Sequence, residues 1–219
     1  MTTALPSVAV IGGTGRQGWG LAVRWAGAGV HVILGSRDAA KARAAVDRAH
    51  QILGDAPIEG ATNPQAAAAA EAVVLAIPFA GQEAILAEIR EPAAGKVVID
   101  TTVPLRTYAP AELEQITDGS SAQRIQRLLP ESRVVAAFHT VSAHRLRRFA
   151  EALAEDTLVC GDDAAARQTA TALAARIGLR GLEVGGLEAS AALEHLAVVI
   201  LRLNSRYGRK AIGVRFVGL

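Results

Sequence analysis

The chain is predicted to fold as α/β, a doubly wound, mostly parallel sheet with a small C-terminal α/β extension. Two observations predict it. Apolar strand-like runs alternate with helical patterns along nearly the whole length, as parallel strands joined by crossover helices require. The first run, Val8-Ala-Val-Ile11, passes directly into Gly13-x-Gly15-x-x-Gly18. A strand, a glycine turn and a helix in that order form the dinucleotide fingerprint of the Rossmann type.

The elements follow in order. A first strand is expected over 7–11, and a helix over 17–28 closed by Gly29. A second strand, 30–34, leads to a helix over 39–53, and 57–61 is a weak third strand. Asn63-Pro64 then opens an alanine-rich helix, with Asn as cap and Pro in the first turn. Strands at 72–77 and 96–100 flank a helix at 80–89. A loop over 101–105 and a polar insertion come next. Gly119-Ser120-Ser121 caps a helix reaching 129. A sixth strand covers 133–138, followed by a loop over 139–144 and a further helix. The remainder reads as a strand at 157–160, a helix at 164–177, a strand at 182–184, a helix at 187–205 and a short strand near 212–216. A soft boundary near 139–143 divides a dinucleotide-binding part, 1–140, from a small C-terminal part, 141–219.

The glycine loop assigns roles. Gly13 permits the tight turn, Gly15 lets backbone approach a pyrophosphate, and Gly18 lets helix pack on strand. The helix N-terminus offers free N–H groups and a positive dipole end to the phosphates. The end of the second strand selects the dinucleotide. An NAD site places an acid about 20 residues on to accept the ribose 2′-OH. Here that position reads Gly35-Ser36-Arg37. A hydroxyl and a guanidinium fork suit a 2′-phosphate, and Lys41 adds charge one turn later. The cofactor is therefore expected to be NADP(H).

Composition narrows the remaining classes. Of 219 residues, 51% are hydrophobic, enough for a sizeable core, and the net charge of +2 gives no electrostatic footprint for nucleic acid. The one cysteine, Cys160, ends an apolar strand and is expected in the core. The five histidines are scattered without metal spacing, so no metal is expected. The N-terminal Met-Thr-Thr-Ala-Leu-Pro lacks the blocks of a signal peptide. The longest apolar stretch is broken by Glu188, Glu194, His195 and Arg202. The expectation is a soluble cytoplasmic protein that does not bind a membrane.

Ligands of such sheets lie beyond the carboxyl ends of the strands. The expected wall is therefore 13–17, 35–37, 77–79, 101–105 and 139–144. It is mostly small and apolar, with Ile77, Pro78, Phe79, Val103, Pro104, Leu105 and Val141. Such a wall suits a reaction that needs positioning and water exclusion more than acid–base help. Hydride exchange between NADPH and a flat heteroaromatic acceptor fits. His139 is the ionisable candidate at the right place, able to orient the acceptor or donate a hydrogen bond; the alternative is a strand-capping histidine bonded to backbone. Arg145, Arg147 and Arg148, and Arg202, Arg206, Arg209 and Lys210, are either solvated faces or a field for an anionic substrate. Reduction of another acceptor (ferric chelate, flavin or imine) and a non-catalytic NADP(H)-sensing module remain open alternatives.

Taken in order, several segments resemble the NADPH-dependent coenzyme F420 reductases (F420H2:NADP oxidoreductases). They are Gly12-Gly-Thr-Gly15 with Gly18, Gly35-Ser-Arg37 with Lys41, Ile77-Pro78, Val103-Pro104, His139-Thr140, Val159-Cys-Gly-Asp-Asp163 and the tail Ile200-Leu-Arg-Leu-Asn204 with Gly213-Val-Arg-Phe216. The resemblance implies reversible hydride transfer between the nicotinamide C4 and the deazaflavin C5 of coenzyme F420. It carries pyrophosphate contacts to Thr14, Gly15, Arg16 and Gln17, and the 2′-phosphate to Ser36, Arg37 and Lys41. It lines the deazaflavin pocket with Ile77, Pro78, Val103, Pro104 and His139. It also implies a homodimer. Phe79-Ala-Gly81 departs from the pattern, since relatives often carry Trp and a polar residue there.

Overall fold

The structure is a computed structural model that describes residues 5–117 and 119–219. Strand β1 (Val8–Ile11) lies in the middle of an eight-stranded sheet. On one side it pairs in parallel with β2 (Val32–Ser36), which pairs with β3 (Ile58–Thr62). On the other side come β4 (Ala72–Leu75), β5 (Val97–Asp100) and β8 (Arg133–Ala136), all parallel. Strand β9 (Asp156–Gly161) joins β8 antiparallel, and β10 (Arg180–Glu183) pairs in parallel with β9. The sheet is thus mostly parallel, and the chain beyond 140 extends the same sheet.

Both faces of the sheet are buried, as parallel strands require. On β1, Val8 and Val10 join a core containing Trp25, Leu21 and Phe138, while Ala9 and Ile11 join another containing Leu86, Ile125 and Leu193. Helices α1 (Arg16–Gly27), α2 (Ala39–Leu53) and α7 (Ala164–Arg176) supply buried residues to the first core. Helices α3 (Asn63–Ala69), α4 (Gln82–Ile89), α5 (Ser121–Leu128) and α8 (Ser190–Arg206) supply the second. Alanine on α2 and α3 lets backbone lie close to the sheet. Among the described residues no helix is long and apolar enough to cross a membrane.

Five local expectations are corrected. Strand β2 runs two residues later than its apolar run, because its ladder with β3 continues through Gly35 and Ser36. The cap of α3 is Thr62, not Asn63: Gln65 Oε1 accepts from the Thr62 N–H at 3.2 Å and its hydroxyl at 2.8 Å. The polar insertion holds a hairpin of β6 (Leu105–Tyr108) and β7 (Ala111–Leu113), turned through a cis Ala109-Pro110 bond. The helix after His139 is a single turn, α6 (Ala143–Leu146). The tail near 212–216 is not a strand. The loop after β8 covers the start of β9, Phe138 N–H donating to Thr157 Oγ1 and Thr140 Oγ1 to the Asp156 carbonyl, so the tail receives one backbone bond from β9, Asp156 N–H to the Val214 carbonyl at 2.8 Å. Arg180 and Asp156 hold the rest, with the Phe216 N–H donating to Asp156 Oδ2 at 2.6 Å.

Candidate functional site

The glycine loop closes between β1 and α1 as a tight turn, but its left-handed residue is Gly12, at φ +78°. Any Cβ there would meet the Ala76 carbonyl oxygen at 2.6 Å. Gly13 is required for a different reason: its Cβ would lie 2.2 Å from Leu34 Cδ2 on β2. Gly18 brings α1 against the turn, where a Cβ would stand 2.7 Å from the Gly12 oxygen. Gly15 is the N-cap of α1, and no side chain caps the helix. Its first-turn N–H groups therefore face outward with a positive dipole end.

That turn borders a cleft of about 310 Å³ that gathers Gly12, Thr14, Gly15, Ser36, Arg37, Lys41, Ile77 and Pro78. Separate parts of the sequence meet here because β1, β2 and β4 are neighbours that all end at the same edge. Ser36 is buried and its hydroxyl accepts from the Asp38 N–H at 3.2 Å; Arg37 and Lys41 are exposed. The one acid at this corner, Asp38, caps α2: its Oδ1 accepts from Ala40 N–H at 2.8 Å and Lys41 N–H at 3.3 Å. Two cations and a hydroxyl thus face the cleft while the neighbouring carboxylate is committed to a helix.

The cleft also contains residues the sequence reading missed. Asn63 is buried against Gly35, and its Oδ1 has no hydrogen-bond partner. Ala76, Ala80, Gly81 and Ile85 complete the wall. Asn63 follows the end of β3, and that position after a strand was the available signal; the Asn-Pro helix-cap pattern obscured it. The cleft fits a dinucleotide phosphate: glycines where a Cβ would clash, uncapped helix N–H groups, two exposed cations and a buried amide oxygen without a partner among the described residues.

The remaining predicted residues lie outside that cleft. Arg16 is exposed on the first turn of α1. Gln17 turns away from the cleft, its Nε2 donating to the carbonyls of Phe138 and Val141 at 3.4 Å each. Val103 and Pro104 follow β5, and the Pro104 carbonyl accepts from the Glu114 N–H at 2.7 Å. His139 follows β8 and is buried. Phe138 directs it there from a left-handed backbone, φ +65°, a conformation costly for a bulky residue. Phe138 is fixed by its N–H donating to Thr157 Oγ1 at 2.8 Å and by an edge-on ring contact with Trp25 at 5.6 Å. Among the described residues neither His139 nitrogen makes a well-aligned hydrogen bond, although the Thr102 and Ala137 backbone lies beside the ring. Burial drives its pKa down to about 4, against the opposing pull of the Thr102 and Ala137 backbone, so the ring is neutral at physiological pH.

Of the predicted arginines after the loop, Arg145 and Arg148 are structural ties and Arg147 is exposed. Arg24 of α1 donates to the carbonyls of Leu146, Arg145, Arg148 and Glu151. Arg145 pairs with Glu155 at 3.1 Å and Arg148 with Glu151 at 3.2 Å. A larger hollow of about 460 Å³ lies beside Phe79, between α5 and residues 114–117; there Arg124 pairs with Glu83 and stacks over the Phe79 ring. Cys160 is buried in β9, as expected, with its thiol pushed up to about 12 mainly by burial.

Residues 7–104 match the family model described as NADP oxidoreductase, coenzyme F420-dependent. The chain is 43% identical over 220 residues to the F420-dependent NADP reductase of Methanothermobacter thermautotrophicus, covering 97% of this chain and 95% of that one. It is 36% identical to that of Methanocaldococcus jannaschii, with 97% and 98% covered. The crystal structure of a putative F420-dependent NADP-reductase from Arthrobacter sp. FB24 is similar at TM-score 0.81 and 29% identity, covering 97% of this chain and 99% of that chain. Fold, cleft and relatives together define an NADP-dependent oxidoreductase of the Rossmann type. Within that class, the chain belongs to the family of F420-dependent NADP reductases.

Proposed function

We propose that the protein transfers a hydride, reversibly, between the nicotinamide C4 of NADP(H) and the deazaflavin C5 of coenzyme F420. The observation that carries this reading is the corner at the end of β2, where Ser36, Arg37 and Lys41 face the cleft and Asp38 is occupied by α2. That corner favours a 2′-phosphate over a bare ribose. Thr14, Gly15, Arg16 and the first N–H groups of α1 hold the pyrophosphate. Gly13 and Gly18 shape the turn beneath it. Ile77 and Pro78 back the nicotinamide, and Val103, Pro104, Val141 and neutral His139 wall the deazaflavin.

The reduced nicotinamide, when bound, supplies the hydride, and a heteroaromatic acceptor spreads the incoming charge itself. The protein's part is alignment and the exclusion of water. Gln17 ties the phosphate-binding helix to the 138–141 loop, so cofactor and acceptor walls move together. A neutral His139 offers one N–H to an acceptor carbonyl without adding charge to the pocket. Residues 141–219 complete that pocket; Ser142 Oγ, donating to the Lys210 carbonyl at 2.9 Å, ties the tail to its wall. They also carry the surface of a homodimer. On α8, Ala192, Leu196, Val199 and Leu203 recur at spacings of four and three on the side opposite buried Glu194, and Val199 and Leu203 are 51% and 38% exposed. A second copy covers such a seam by the same packing that pairs helices in coiled coils.

The test of direct transfer is isotopic. NADPH deuterated at both C4 positions should deliver one label to C5 of the deazaflavin. Label recovered in water, or reduction with no label in the product, would overturn the reading.

A further inference from the structure

Behind the Val103-Pro104 wall lies a buried polar cluster that the transfer itself does not use. Asp100 ends β5 and is wholly buried; Glu194, on α8, is 3% exposed. Ser121, the first residue of α5, sits between them. Its N–H donates to Glu194 Oε1 at 2.8 Å, and its hydroxyl faces the Asp100 carboxyl. Asp100 Oδ1 accepts from the Thr102 N–H at 3.0 Å, while Oδ2 makes no hydrogen bond. Gln82 of α4 donates to Thr102 Oγ1 at 3.3 Å and to Ser121 Oγ at 3.5 Å. Gln82 thus links Thr102, the residue before Val103, to Ser121, and Ser121 in turn links α5 to Glu194 on α8.

We propose that Asp100 and Glu194 are positioning residues for the acceptor wall, keeping one proton between them so that β5, α5 and α8 stay closed around Thr102, Val103 and Pro104. This inference rests on the reading that Val103 and Pro104 wall the acceptor. Two carboxylates in one buried site cannot both ionise cheaply. Among the described residues neither makes an ion pair. The other titratable groups near them supply no cation: Cys160 is a neutral thiol, Glu188 and Asp162 beside it are acids, and His139 is uncharged. Burial, with the Asp100 charge adding to it, raises Glu194 to about 8, and burial raises Asp100 to about 6. The pair titrates as a unit. A carboxyl whose folded pKa is raised takes up a proton on folding. Its stability is full below the ordinary carboxylate range and is lost as pH climbs through the folded value. Above about pH 8 two charges face each other across Ser121, and the wall loosens.

The test compares the full-length protein with Glu194→Gln, which mimics the protonated carboxyl and still accepts from Ser121. Denaturant stability of the wild type should fall between about pH 4.5 and 8 and level off above that, and the slope should flatten in Glu194→Gln and in Asp100→Asn. From pH 7 to 9 the wild-type KM for coenzyme F420 should rise about tenfold, one unit's worth of titration, with KM for NADPH unchanged. The Glu194→Gln value should stay low. The ratio of variant to wild type at each pH cancels the ligand's own ionisation. Stability slopes and KM values that run parallel in wild type and variants overturn the proposal. Val103→Ala separates the two ways to fail. An unchanged F420 KM in that variant overturns the wall reading and the positioning role with it; a changed KM beside parallel wild-type and Glu194→Gln profiles overturns the carboxyl pair alone.

Discussion

In the proposed reading, Arg37 selects the dinucleotide by the charge it offers. Its guanidinium and the Lys41 ammonium stand exposed at the cleft, while Asp38 is engaged by two α2 N–H groups. Arg37→Ala should cost about 2 kcal/mol of NADPH affinity, roughly thirtyfold, through lost charge-assisted bonds to phosphate. NADH binding should barely change; titration of both cofactors checks this, and equal losses would remove Arg37 from the 2′-phosphate. This choice was legible in Gly35-Ser-Arg37, because residue type alone sets the chemistry. The state of His139 was not legible. Only the fold shows that Phe138 turns it into a dry site, where burial lowers its pKa to about 4. A group whose folded pKa is depressed below its free value resists protonation in the folded state. The stability it contributes is lost as pH falls from about 6.5 to about 4, up to about 3 kcal/mol. His139→Gln should remove that acid-side slope, visible as the difference between variant and wild-type denaturation across this window.

At the scale of elements, the glycine turn shows how strand, loop and helix are fitted together. The motif was evident in sequence, but the division of labour within it was not. Gly12 takes the left-handed backbone and Gly13 gives way to Leu34, because the turn folds back between β2 and β4. Gly12→Ala combines a positive φ with a clash against the Ala76 carbonyl. It should lower stability by about 2 kcal/mol or more and weaken NADPH binding; chemical denaturation and cofactor titration measure both. Strands and helices of the sheet were readable because apolar runs and caps are local signals. The β6–β7 hairpin was not, since its exposed Arg106, Thr107 and Tyr108 show no apolar run. The tail was misread because its apolar residues suggest a strand, while the 138–140 loop already lies against the start of β9.

At the scale of the molecule, the cleft and the proposed acceptor wall lie along one sheet edge, with Gln17 of α1 bonded to the 138–141 loop, and α8 turns an apolar stripe outward. Val199→Arg with Leu203→Arg should place two cations in the seam of the proposed dimer and yield monomers in sedimentation, since like charges there lack partners. A dimer that persists would move the interface elsewhere. That coenzyme F420 is the acceptor was legible only through the resemblance, because the pocket's small apolar side chains name no ligand by themselves. The central claim concerns the pairing of NADPH with a deazaflavin. The most direct measurement mixes purified protein with NADPH and oxidised coenzyme F420 and follows the deazaflavin's visible absorbance, with NADH in parallel. Rapid bleaching with NADPH and little with NADH is the predicted result; persistent absorbance while NADPH is tightly bound would contradict it.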